Sequence, residues 1–151
     1  MRQSIKFLHT IGAIGMMGAM ACLLVLLAYL PAPDAAGTAA MRVAMGAIAT
    51  WIFLPSLALT LVAGLLAMAA NRGYQNAGWA WIKLATGVLV FEAGFSGVVG
   101  PMQDAAARSA EVAGTAEDAG AAAGTIWVLL AIAVLNVALG VWRPRVMRPA
   151  K

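Results

Sequence analysis

FLHTIGAIGMMGAMACLLVLLAYL, residues 7–30, decides the fold. Within it only His9 and Thr10 interrupt an otherwise apolar run. A helix needs about 20 apolar residues to cross the hydrocarbon of a bilayer. This run supplies them before Pro31 and Pro33 end it. Its basic start, MRQSIKF, resembles that of a signal peptide. The apolar stretch exceeds the roughly 7–15 residues of a signal core, and Ala-Tyr-Leu-Pro-Ala-Pro is a poor cleavage context. The run is expected to be a retained first span.

The rest of the chain has the same character. Of its 151 residues 63% are hydrophobic and 11% charged, with a mean hydropathy of +0.88. Soluble domains carry about 25% charged residues. A soluble core of this size could not hide so much apolar surface. The expected fold class is all-α, a transmembrane four-helix bundle in a single domain of residues 1–151. Spans are expected at about 5–30, 39–70, 79–100 and 124–142. Asn71-Arg72-Gly73 suits a C-cap and turn after the second. The alanine-rich stretch between the last two spans predicts a helical hairpin over about 101–123. Thr115 would act as N-cap before Glu117 and Asp118, so that the last helix begins near Ala116.

Basic residues orient such a chain. Arg2, Lys6, Arg72, Lys83, Arg143, Arg145, Arg148 and Lys151 fall on one side, and Arg42 and Arg108 on the other. Asp34, Asp104, Glu111, Glu117 and Asp118 fall with the second pair. The split predicts that both termini and the middle loop are cytoplasmic. Trp79, Trp81 and Trp142 then lie at the cytoplasmic aromatic belt, and Tyr29 and Trp127 near the outer one. Anionic lipid accounts for the basic tail, so no nucleic-acid partner is expected. The lone Cys22 excludes an intrachain disulfide.

At about 100° per residue, with Gly15 at zero, Gly12, Gly18, Ala19 and Cys22 share one smooth side of the first helix. Small residues let helices approach closely in lipid, where apolar association alone drives nothing. Gly97 is read the same way in the third span. His9, Met16 and Met20 form a neighbouring stripe. Imidazole and thioether can ligate haem iron or Cu(I), and methionine equally packs cores. His9 and Met16 stand about 10 Å apart along a straight helix, too far for one shared metal. An interfacial histidine touching headgroups is the alternative for His9.

Other polar groups fall inside the spans. Glu92 lies near the midplane, where ionisable groups are costly unless paired or neutralised and usually face a bundle interior. Thr60 is its expected hydrogen-bond partner. Asn136 is expected to bond across helices. Pro55 should kink the second span and leave the Trp51 carbonyl without its usual partner. Lys83 can snorkel to the headgroups. No nucleophile–base set and no phosphate loop is visible.

Lys6 and His9 as K-x-x-H, Pro55 with LTLVAGLL, and WAWIKLATGVLVFE resemble bacterial four-helix membrane proteins of unknown function. Those look like relatives of the CopD-like copper-resistance domain and, more distantly, of the HemJ-type protoporphyrinogen oxidases. The resemblance covers about the first hundred residues. It implies a four-helix bundle in a bacterial inner membrane, with haem b or copper near His9 and Lys83 at the cytoplasmic end of the first and third helices. A single histidine excludes bis-histidine ligation within one chain, and the spans hold fewer polar residues than those of the HemJ type. Three readings follow. One is a non-enzymatic accessory or assembly subunit, acting as a homo-oligomer or within a larger membrane complex. The second is a haem- or copper-binding protein using His9. The third is a proton-linked transporter using Glu92.

Overall fold

The computed structural model describes residues 2–30, 34–109 and 116–142. Among them every regular element is helical. Four long helices carry the chain: α1 (Arg2–Ala28), α2 (Ala35–Ala69), α4 (Gly78–Ala107) and α5 (Ala116–Trp142). A short helix, α3 (Arg72–Gln75), links α2 to α4. All four long helices are long and apolar enough to span a membrane. Thr115, the expected cap of the last helix, lies outside the described residues, as do residues 110–114 of the expected hairpin.

Local chemistry explains most boundaries. Asp34 caps α2 by accepting from the Gly37 amide. Asn71 does not close α2 as a C-cap. Its side chain accepts from the Gly73 amide at 3.1 Å and so starts α3. Pro101 does not end α4, which runs on to Ala107.

Both prolines inside the long helices follow a π-helical turn. Ala49–Phe53 precedes Leu54-Pro55, and Phe95–Val99 precedes Gly100-Pro101. The Leu54 amide reaches back five residues to the Ala49 carbonyl, and the Gly100 amide to Phe95. A proline lacks a donor and crowds the carbonyl four residues back. One inserted residue, the π turn, absorbs both defects over the turn before it. The expected disturbance at Pro55 therefore takes the form of a widened turn, and the two widened turns touch each other.

Above these turns α2 and α4 pack closely, and a Cβ on Gly46 would come within 2.7 Å of Ala106 Cβ. Below them Leu54–Ala69 of α2 packs chiefly on α1, and Gly78–Gly94 of α4 packs on both α5 and α2. Phe53, Met20, Leu23 and Ile126, from three helices, are fully buried at the centre of one apolar core. The ring of Phe53 touches the backbone edge of Gly94, where a Cβ would lie 3.0 Å away. Phe53→Ala should cost about 2 kcal/mol, less than in a soluble core. Lipid is as apolar as the core, so only the packing and cavity part of the loss remains. Reversible unfolding in mixed micelles would measure it.

Candidate functional site

Between the π turns and the α3 connection, a cavity of ≈ 510 Å³ opens among α1, α2, α4 and α5. It lies at the end of the chain that carries Lys6, Arg72 and Lys83, here called the basic end. Met16, Leu57, Val90 and Ala133 belong both to the cavity wall and to the core, so they form its floor. Lys6, Asn71, Tyr74 and Trp79 stand at its mouth. The connection from α2 to α4 frames this mouth. Trp81 Nε1 donates to the Gln75 carbonyl at 2.9 Å, and the Tyr74 and Trp79 rings meet edge to face at 5.6 Å. A cavity of this size is typical of small-molecule sites.

Five of the polar and methionine site candidates meet here: His9, Met16, Thr60, Lys83 and Asn136. His9 is half-buried, and its Nδ1 lies 2.9 Å from the Thr60 carbonyl oxygen. A carbonyl only accepts, so Nδ1 carries the hydrogen. In the neutral ring Nε2 then holds a lone pair. No described residue is a hydrogen-bond partner of Nε2. This is the arrangement that orients a ligating histidine: one nitrogen tied to a carbonyl, the other left with a lone pair.

The Thr60 hydroxyl donates to the Ser56 carbonyl at 2.8 Å. It is not the partner of Glu92, which is exposed on the outside of α4. The inward-facing expectation for Glu92 is thereby corrected. Met20 is sealed in the core and does not line the cavity, so His9, Met16 and Met20 are not brought together as one ligand set. Among the described residues no three His, Cys, Asp or Glu side chains cluster as a metal site.

Asn136 joins α5 to α4 by donating from Nδ2 to Thr86 Oγ1 at 3.0 Å. The Thr86 hydroxyl spends its single hydrogen on the carbonyls of Ile82 and Lys83. Its oxygen can only accept, which fixes the amide orientation. Among the described residues Asn136 Oδ1 is buried without a donor. One turn further along α5, Lys83 Nζ rests against Gly140, where a Cβ would come within 2.7 Å. Lys83 thus reaches across to α5 at the cavity rim. Gly140→Ala should displace this flexible ammonium while leaving unfolding stability within about 0.5 kcal/mol. A severalfold loss of affinity for an acidic ligand, with unchanged unfolding, is the expected outcome in a binding titration.

The glycines divide. Gly12 and Gly15 do lie against α2: a Cβ on Gly12 would come within 2.5 Å of Thr60 Oγ1, and one on Gly15 would strike Ser56 Oγ. Ala19 is buried, and Gly97 lies close to Thr125 of α5. Gly18 and Cys22 are exposed, and a Cβ on Gly18 would meet nothing within 4 Å. These two lie off the packing face. Gly46, Gly94, Gly140 and Thr86 escaped the sequence reading, because nothing local marks a contact with a distant helix. Compared with known proteins, the chain matches no family model, no curated protein and no solved structure.

Proposed function

We propose that this chain is a non-enzymatic, multi-pass protein of a bacterial inner membrane. Its four helices form one bundle with both termini cytoplasmic, and its basic-end cavity binds an apolar, cofactor-sized molecule anchored by His9. The single observation that carries this reading is the imidazole held by Nδ1 on the Thr60 carbonyl, with Nε2 open beside a cavity.

Haem b is the occupant to test first, as the resemblance to CopD-like and HemJ-type proteins implies. The residues fit it. His9 would hold the group through Nε2, the apolar wall would enclose it, and Lys6 and Lys83 would offer charge to its carboxylates. Bound there, haem would supply redox-active iron. Copper fits less well, because the soft Met20 sulfur is shut in the core. Titrating haem b into the full chain in mild detergent should give saturable one-to-one binding with a sharpened Soret band. A linear, unsaturated response equal to that of empty micelles would overturn the reading.

An accessory role within an assembly is favoured by a different observation, the outward Glu92. The transporter reading loses its geometric basis within one chain, since neither Glu92 nor Pro55 lines the cavity.

A further inference from the structure

Glu92 lies near the middle of Gly78–Ala107, and it is exposed. Among the described residues its side chain has no hydrogen bond or ion pair; Ser96 Oγ donates only to its backbone carbonyl. An isolated chain would thus hold a carboxyl in hydrocarbon, where lipid tails neither donate nor accept. Such groups persist where protein covers them.

The surface around it has a pattern. Ile82, Ala85, Leu89, Glu92 and Ser96 are all exposed. Their spacing is three, four, three, four, which is the seam of a two-helix coiled coil. The next step, Val99, is buried. The π turn at Phe95–Val99 inserts one residue and rotates the face away, so the seam ends there. Ala85 and Ser96 are small enough for close approach.

We infer that a second copy of this chain covers this face, α4 packing in parallel on its own copy with Glu92 at the centre of the seam. Symmetry supplies the argument for a copy over a foreign helix. A two-fold axis along the membrane normal keeps each residue at its own depth, so Glu92 meets Glu92. A protonated carboxyl both donates and accepts, so it is complementary to itself. A seam residue that pairs only with its like also fixes register and copy number.

The test uses the full chain in membranes, in a Cys22→Ser background. Single cysteines at 85, 89, 92 and 96, and controls at the exposed Val62 and Val134, are oxidised mildly. Disulfide-linked dimers at the four seam positions, at least tenfold above both controls, are expected. Cysteines at 85 and 89 keep Glu92 intact, so a failure of the 92 variant to fold leaves the test standing. Glu92→Gln, which still donates and accepts, should leave the dimer intact. Glu92→Leu should weaken it about tenfold in a detergent dilution series. Strongest linking at 62 or 134, a monomer by subunit counting, a foreign protein in stoichiometric yield, or equal dimerisation of Glu92→Leu would each overturn the inference.

Discussion

His9→Ala is expected to lower affinity for haem b on the order of 100-fold and to abolish the Soret band of the purified chain. Substitutions merely behind a metal ligand typically cost 10–100-fold, so removal of the ligand itself should reach at least the upper end. The acceptor that orients His9 is the backbone oxygen of Thr60. Thr60→Val should therefore keep the histidine in place and bind normally. Free imidazole added to His9→Gly should restore the band, because the cavity beside it remains. A metal-free, apolar probe should bind His9→Ala as it binds the parent, since the wall is unchanged. That pair of outcomes separates the anchor from the cavity. Equal haem binding by His9→Ala would remove His9 from the site.

The four spans were legible because length and apolarity are enough to specify them. The faces of the helices were not. A helical wheel gives angles between residues, and it does not say which angle points at a neighbour. Taking Gly15 as zero put the packing face at Gly12, Gly18, Ala19 and Cys22. Of these Gly12 and Ala19 are buried, together with Met16, Met20, Leu23 and Leu27, and the wheel angles of the buried set centre near 90°. The methionine stripe is thus the core face. Gly12 and Gly15 sit on its flank, where α2 approaches, and Gly18 and Cys22 fall beyond it. His9 lies on the core stripe too, which is why it faces a cavity and not the headgroups alone.

Glu92 shows the opposite failure. The rule that intramembrane acids face inward is a statement about finished assemblies, and one chain need not be the assembly. Helix α4 is apolar almost all round, so its sequence has no polar side to orient it. The π turns were hidden for a related reason. Pro55 and Pro101 mark a local defect in the hydrogen-bond ladder, but only contacts with neighbouring helices decide whether a helix kinks or takes in an extra residue.

Gly12→Leu is expected to be the most disruptive single change in the molecule, costing about 3 kcal/mol or preventing folding. A Cβ at residue 12 would come within 2.9 Å of the Thr60 backbone nitrogen and 3.0 Å of the Ser56 carbonyl. These are backbone atoms, which cannot swing aside as a side-chain end can. The two helices would have to separate, and overpacking of this kind typically costs about 1–3 kcal/mol. In lipid the loss is felt fully, because close contact is what holds the helices together. Separation would also lengthen the bond from His9 Nδ1 to the Thr60 carbonyl, now 2.9 Å, since His9 lies less than one turn from Gly12. Stability and ligand binding should therefore fall together in this variant. Gly18→Leu makes the same chemical change six residues away on the same helix, where a Cβ meets nothing within 4 Å. It should stay within about 0.5 kcal/mol of the parent and bind normally. Unfolding in mixed micelles, with ligand binding read on the same samples, compares the two. Equal behaviour of Gly12→Leu and Gly18→Leu would mean that α1 does not pack on α2 through Gly12, and the cavity wall built on that contact would have to be redrawn.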